Sequence, residues 1–123
     1  MDGPNGHAAS DYARLVGDVR ACVACDRVGH AHVLGGANGP LDARVLFVAE
    51  AVGRRGGAVT GVPLTRDESG KRFAAFLALA GIPRAHAFIT NAVLCNPLDA
   101  QGRNRPPAPA EVARCRPFLA RTL

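Results

Sequence analysis

The sequence has no long hydrophobic run, and this absence limits the class of protein. Without an apolar stretch long enough to cross a bilayer, the 123 residues predict one soluble domain that does not span a membrane. The first ten residues, MDGPNGHAAS, lack the basic start and apolar centre of a signal peptide, so we expect a cytoplasmic monomer. Hydrophobic residues make up 48% of the chain, which is enough for a packed core.

Lysine is almost absent, because Lys71 is the only lysine among 15 basic residues, and the formal charge is +5. Arginine binds phosphate groups through paired hydrogen bonds, so this composition favours a polyanionic partner such as a nucleic acid. GC-rich coding would also replace lysine with arginine, so the charge alone leaves nucleic-acid binding open.

Two short apolar segments predict the central sheet. Segments 43–51 and 85–95 have the composition of fully buried parallel strands. An amphipathic helix is expected between them over 67–80, after a long irregular loop over 53–70. Strand, helix and strand in this order predict an α/β fold with a parallel sheet. Two strands do not form a stable sheet by themselves, so we expect the sheet to be incomplete in this chain.

The ends of the chain predict two further helices. Ser10 can cap a helix over 10–21, and residues 1–9 are expected to form a disordered tail. Pro109 fits the first turn of a last helix, and Pro117 is expected to bend or split that helix. Residues 10–123 are therefore predicted to form a single domain.

Four cysteines in a reducing compartment indicate a metal centre. A C-x-x-C turn allows two thiolates to bind one centre, and two more cysteines follow in the second strand and the last helix. Four thiolates suit either tetrahedral zinc or an iron–sulfur cluster. The alternative is that the two later cysteines are ordinary buried core residues. The candidate ligands are Cys22, Cys25, Cys95 and Cys115.

Two histidines offer a different zinc site. His30 and His32 could complete a two-cysteine, two-histidine knuckle with the C-x-x-C turn. Their H-x-H spacing is shorter than the usual one, and the knuckle would leave Cys95 and Cys115 unexplained. We therefore expect two partly exposed histidines.

Polar residues near the strand ends are candidates for a ligand site, because open parallel sheets bind ligands at the carboxyl ends of their strands. Glu50 could orient a water molecule, and Asn91 could pair with the edge of a base. Each could equally be structural, as a loop carboxylate and as an amide that fixes a loop. The stiff segment GRNRPP places Arg103, Asn104 and Arg105 where they could contact a phosphate backbone or solvent.

The order of the motifs resembles one known family. The segments are C-x-x-C, VLFVAEAVG, TGVPL, ITNAVLCNP, NRPP and EVARC. This order is similar to that of the iron–sulfur members of the uracil-DNA glycosylase superfamily, of the family-4 and family-5 type, over about residues 20–123. The resemblance implies a three-layer α/β/α sandwich with a mostly parallel sheet, and a DNA partner. It further implies DNA repair by excision of uracil or a related deaminated base.

The resemblance also implies roles for individual residues. Glu50 occupies the acidic position of the first active-site motif, and Asn91 the position that recognises a flipped uracil. Ala51, Gly53 and Leu64 would line the base pocket. Independently of the resemblance, Arg103, Asn104 and Arg105 on the stiff NRPP segment are predicted DNA contacts. A four-iron–four-sulfur cluster would be held by Cys22, Cys25, Cys95 and Cys115.

The chain departs from the family pattern in several places. Ala49 and Val52 replace the usual Gly and Pro, and Leu64 replaces a Phe that stacks on uracil. The second active-site motif, His-Pro-(Ser/Ala), does not occur in the sequence. We therefore expect a C-terminally truncated member with weak or no activity by itself. The alternatives are a non-catalytic iron–sulfur or zinc module that binds nucleic acid, and a partial chain that does not fold stably alone.

Overall fold

The computed structural model describes residues 4–123, with side chains described from Ala8 onward. Helix α1 spans Pro4–Arg20 and so begins before the predicted start at Ser10. Residues 4–9, predicted to be a disordered tail, form its first turns, and residues 1–3 lie outside the described part. Ala8 and Ala9 favour this extension, because alanine has the highest helix propensity.

The other elements follow in the order expected for an α/β fold. The strands are β1 (Val28–Gly29), β2 (Val45–Ala51), β3 (Ala87–Val93) and β4 (Asn96–Pro97). The remaining helices are α2 (Gly57–Thr60), α3 (Glu68–Ala80) and α4 (Pro109–Thr122). Strands β2 and β3 pair in parallel, and β1 pairs with β4 as a short antiparallel ladder. The predicted α/β fold with an incomplete parallel sheet is confirmed.

Helices lie on both faces of the parallel pair. Phe88 of β3 is in a buried cluster with Leu15 and Val19 of α1, and its ring meets Tyr12 edge-on at 5.8 Å. Phe47 is on the opposite face, since its neighbour Leu46 pairs with Phe88, and its ring lies 5.1 Å from Phe73 of α3. Helix α1 therefore covers one face and α3 the other, as a three-layer α/β/α arrangement requires.

The two central strands differ in burial, which corrects the prediction that both are fully buried. In β3 all residues but Ala92 are buried. In β2 the side chains alternate, and Leu46 and Val48 are 40% and 46% exposed. Strand β2 lies at the edge of this two-stranded sheet, and helix α4 packs against β3 rather than β2. One face of β2 is consequently left partly open.

Helix boundaries follow local sequence signals. Asp67 caps α3, its carboxylate accepting a hydrogen bond from the Gly70 N–H at 2.9 Å, and Gly81 ends the helix in the left-handed conformation. Helix α4 begins at Pro109 and runs on past Pro117, so the proline does not split it. The loop over 53–70 contains the short helix α2, which the sequence did not predict.

Candidate active site and metal centre

A cleft of about 450 Å³ opens at the carboxyl ends of β2 and β3. It lies where open parallel sheets bind their ligands. Its lining includes most of the predicted site residues, namely Glu50, Ala51, Gly53, Leu64, Asn91, Asn104 and Arg105. Arg103 is the one predicted substrate or DNA residue outside this lining.

Asn91 is the polar group most deeply placed in the cleft. It lies in β3 opposite Ala49 of β2, and only 2% of its surface is exposed. No hydrogen bond joins its side-chain amide to any residue in the described part of the chain, yet the amide is not sealed from the cleft. Because the amide is nearly buried yet open to the cleft, it can form hydrogen bonds with a polar ligand bound there.

Glu50 lies at the rim rather than beside Asn91. Since Ala49 pairs with Asn91 and side chains alternate along a strand, Glu50 points to the opposite face of the sheet. Its side chain is exposed and forms no ion pair with the described residues. The carboxylate is therefore free to act on a group bound at the mouth of the cleft.

Leu64 lies on a strained loop that is held from outside the cleft. Its φ of 51° and the φ of 73° at Arg66 lie in the left-handed region, where residues other than glycine are uncommon. The Arg84 guanidinium donates to the carbonyl oxygens of Leu64 and Pro63. Because strained backbone persists only where its surroundings fix it, Arg84 helps to hold this wall of the cleft. Sequence analysis did not single out Arg84.

Asp67 is a second carboxylate in the cleft that sequence analysis did not identify as part of the site. One of its oxygens caps α3, and a side chain on either Gly53 or Gly56 would collide with the carboxyl group. The two glycines thus allow the loop after β2 to lie directly against Asp67. This contact fixes the loop. The Asp67 carboxylate is therefore occupied by structural contacts, whereas the Glu50 carboxylate is not. The D-x-S-G sequence at the start of α3 could have identified Asp67 as the residue that caps this helix.

The NRPP segment is anchored to the protein through two predicted DNA contacts. The Asn104 side chain accepts a hydrogen bond of 2.8 Å from the backbone N–H of Arg54. This bond joins the NRPP segment to the loop after β2, which form two walls of the cleft. Arg105 donates all five of its guanidinium N–H groups to protein oxygens, including both oxygens of Glu111. Arg105 therefore has no free donor for a phosphate, whereas Arg103 is 65% exposed and makes a looser contact of 3.4 Å with Asp99.

The four cysteines are brought near one another by the segments around β1 and β4. The β1–β4 ladder brings Val28, just after the C-x-x-C turn, opposite Pro97, and the Val33 N–H donates to the Leu94 carbonyl at 2.8 Å. Strand β3 ends at Val93, so Cys95 lies beyond the strand in which it was predicted. The ladder and this hydrogen bond hold Cys95 next to the turn that carries Cys22 and Cys25.

The thiols influence one another electrostatically. Burial raises the pKa of Cys95, and the neighbouring thiols of Cys115, Cys22 and Cys25 raise it further. A hydrogen bond from the His32 backbone partly offsets this by lowering the pKa of Cys95. Burial likewise raises the pKa of Cys115, with contributions from Cys25 and Cys22. The thiols of Cys22, Cys25 and Cys115 are therefore close enough to Cys95 to act on it, and a bound cation would favour the thiolate forms.

The thiols are nevertheless not packed around a single point. A metal site needs at least three donor atoms from cysteine, histidine or carboxylate side chains close together. Within the described residues, one such group has all its donor atoms within 4.8 Å of one another, and it consists of His30, His32 and Cys95. Tetrahedral zinc with four thiolates would bring the sulfur atoms to about 3.8 Å from each other. The spacing of the four cysteines is thus wider than a single zinc ion requires.

The fold and the cleft define an α/β domain with a polar site at the carboxyl ends of two parallel strands. The family model described as the uracil DNA glycosylase superfamily matches residues 37–123. The chain therefore belongs to the uracil DNA glycosylase superfamily. Among the described residues, no helix is both long and apolar enough to cross a membrane.

Two curated relatives are similar to the chain. A type-4 uracil-DNA glycosylase of Archaeoglobus fulgidus is 33% identical over 111 residues, which cover 89% of this chain and 52% of the relative. A type-4 uracil-DNA glycosylase of Thermotoga maritima is 35% identical over 102 residues, which cover 82% of this chain and 50% of the relative. The chain spans about half the length of the curated relatives it matches.

Proposed function

We propose that this chain binds uracil, or a related deaminated base, in DNA and takes part in its excision by hydrolysis of the N-glycosidic bond. The observation that carries the proposal is the Asn91 amide, which is 2% exposed, lines the cleft and forms no side-chain hydrogen bond with the described residues. An amide offers one acceptor and two donors, which can pair with the acceptor and donor groups of a uracil edge. Membership of the superfamily supports the same substrate.

The target base must leave the duplex stack to enter such a cleft. When the sugar–base bond breaks, positive charge grows on the sugar and negative charge on the uracil. Donors from Asn91 stabilise the leaving uracil, and the exposed Glu50 carboxylate at the rim stabilises the sugar and orients the attacking water. Asp67 is less suited to that role, since its carboxylate caps α3.

The walls of the cleft select the base by shape. Ala51 and Gly53 leave room beside Asn91, and Leu64 supplies an apolar surface against one side of the base. A base whose polar groups did not match the Asn91 amide would leave buried donors or acceptors unpaired. Such mismatches are rejected more strongly than a small difference in size.

The four cysteines fit a four-iron–four-sulfur cluster better than one zinc ion. Cys22, Cys25, Cys95 and Cys115 supply the four thiolates that such a cluster takes, and their wider spacing favours a polynuclear group. When bound, the cluster would join the start of the chain to the end of β3 and to α4. Its role would be to hold the NRPP segment and the cysteine turn in place.

DNA contact is expected at the exposed arginines around the cleft. Arg103 is the best placed of the three predicted contacts, because Arg105 is committed to Glu111 and Asn104 joins the walls of the cleft. Arg55 and Arg66 also lie exposed on the loop after β2. Phosphate contacts of this kind position the duplex without recognising its sequence.

The test is a cleavage assay on a uracil-containing oligonucleotide, in which the abasic product is nicked with alkali. Asn91→Ala should abolish the product, whereas Leu79→Ala, which truncates a 90% exposed side chain of α3 outside the cleft, should not change it. Binding without product would indicate instead a non-catalytic nucleic-acid-binding module. Equal product from the parent chain and Asn91→Ala would overturn the assignment of the site.

A further inference from the structure

A second group of donor atoms lies outside the base cleft. One ligand atom each from His30, His32 and Cys95 lies within 4.8 Å of the other two. His30 is exposed and the other two residues are half-buried, so an ion could enter from solvent. The site joins the loop after β1 to the segment after β3, and it is not the knuckle formed with the C-x-x-C turn.

His32 is held in an orientation that favours metal binding. Its Nε2 lies 2.7 Å from the carbonyl oxygen of Cys22, which can only accept, so Nε2 donates. The proton is thereby fixed on Nε2, and Nδ1 keeps the lone pair that a metal requires. Histidines that bind metals commonly donate their other ring N–H to a backbone carbonyl in this way. The φ of 48° at His32 is a strained conformation of the kind found at functional sites.

We propose that His30, His32 and Cys95 form a Zn²⁺ site with a water molecule as fourth ligand, which binds the ion when no iron–sulfur cluster occupies Cys95. Two imidazoles and one thiolate are ligands that zinc prefers, and three protein ligands plus water is a common zinc arrangement. Tetrahedral zinc would place these atoms about 3.3–3.6 Å apart, so small side-chain movements complete the site. On binding, the Cys95 thiol releases its proton to solvent.

Because Cys95 cannot bind both groups, zinc and the cluster exclude each other. The zinc form would keep the segment after β3 joined to the loop after β1 when the cluster is lost. The site does not depend on glycosylase activity, although it shares one ligand with the proposed cluster. Its test can therefore fail while the proposed function stands.

The experiment uses Co²⁺ as a spectroscopic probe on the full chain carrying Cys22→Ala and Cys25→Ala. This variant lacks two cluster ligands but keeps all three proposed zinc ligands. The bond from His32 also remains, because it is made to the Cys22 backbone. We expect one Co²⁺ per chain, with the thiolate charge-transfer band and the visible bands of tetrahedral cobalt, and displacement of Co²⁺ by Zn²⁺.

Two substitutions in that background identify the histidines. His30→Gln and His32→Asn should each weaken Co²⁺ binding at least about tenfold, and asparagine tolerates the left-handed backbone at position 32. Undiminished Co²⁺ binding in both variants, or no binding in the parent variant, would overturn the proposal. If that variant does not fold, Cys22→Ser with Cys25→Ser replaces it, and insensitivity of its Co²⁺ binding to His30→Gln is again contrary.

Discussion

Arg105 and Glu111 form a two-point ion pair in which both contacts between guanidinium nitrogen and carboxylate oxygen measure 2.7 Å. Arg105 also donates to the Arg27 carbonyl at 2.9 Å, and Glu111 accepts the Ala108 N–H at 2.8 Å. The pair therefore connects three parts of the chain: the cysteine turn, the NRPP segment and the start of α4. It couples one wall of the cleft to the candidate metal centre.

Acid should weaken this connection. Hydrogen bonding from Arg105 holds the pKa of Glu111 below its ordinary value. The pair therefore stabilises the folded protein at pH values above the pKa that Glu111 has in the unfolded chain. That contribution is lost as the pH falls below about 4 and the carboxylate is protonated. Glu111→Gln should therefore be less stable than the parent chain at pH 7, and the difference should shrink towards pH 3. Urea unfolding across this range measures it, and a constant difference would contradict the assignment.

Arg103 and Arg105 should behave differently towards DNA. Arg103→Ala removes an exposed charge. For duplex DNA, the plot of the logarithm of the binding constant against the logarithm of the salt concentration should therefore become less steep by about 1. Arg105→Lys keeps the charge but loses the two-point contact, so it should lower the melting temperature and leave that slope unchanged. Titrations by fluorescence anisotropy at several salt concentrations separate the two. Arg105→Gln, which removes the charge, should also leave the slope unchanged, and a reduced slope in that variant would restore Arg105 as a DNA contact.

The cap of α3 gives a prediction of stability. Asp67→Ala removes the hydrogen bond to the Gly70 N–H and should lower the free energy of unfolding by about 1 kcal/mol. Asp67→Ser, which can form a similar cap, should recover most of that loss. Denaturant unfolding measures both variants. If serine were no better than alanine, the contact of Asp67 with the loop at Gly53 and Gly56 would be the larger contribution.

Leu64 offers a gain of function. Leu64→Phe would place an aromatic ring against the base, and stacking of this kind contributes about 1–3 kcal/mol per base. Excision of uracil, or its binding if excision is slow, should improve by about fivefold or more. Leu64→Met keeps the apolar surface without a ring or a branched Cβ, which the left-handed backbone disfavours, and should stay near the parent value. No improvement with Phe would indicate that Leu64 does not face the bound base.

The cluster can be tested without activity. Protein purified without oxygen should be brown, with broad absorbance near about 400 nm that zinc cannot produce. Cys115→Ser should remove most of this absorbance, whereas Glu50→Gln should keep it, because Glu50 lies in the base cleft. A colourless parent chain that contains zinc would contradict the iron–sulfur assignment.

Much of the fold was predictable, because it depends on local signals. The apolar runs at 43–51 and 85–95 specify strands through side-chain burial, and Asp67 and Gly81 mark the ends of α3 through their own backbone preferences. The burial of β2 was not predictable. An apolar run has the same composition whether one face or both are covered, so only the position of α4 over β3 decided it.

The candidate site divides in a similar way. The sequence by itself determined the chemical groups: an amide and a carboxylate near strand ends, four thiols, and a chain rich in arginine. Only the tertiary structure decided their availability. It leaves the Asn91 amide facing the cleft, turns Glu50 to the other face, commits Arg105 to Glu111 and brings His30 and His32 to Cys95. Strand register and the contacts that folding brings together fix these outcomes, and the spacing of residues along the chain does not encode them.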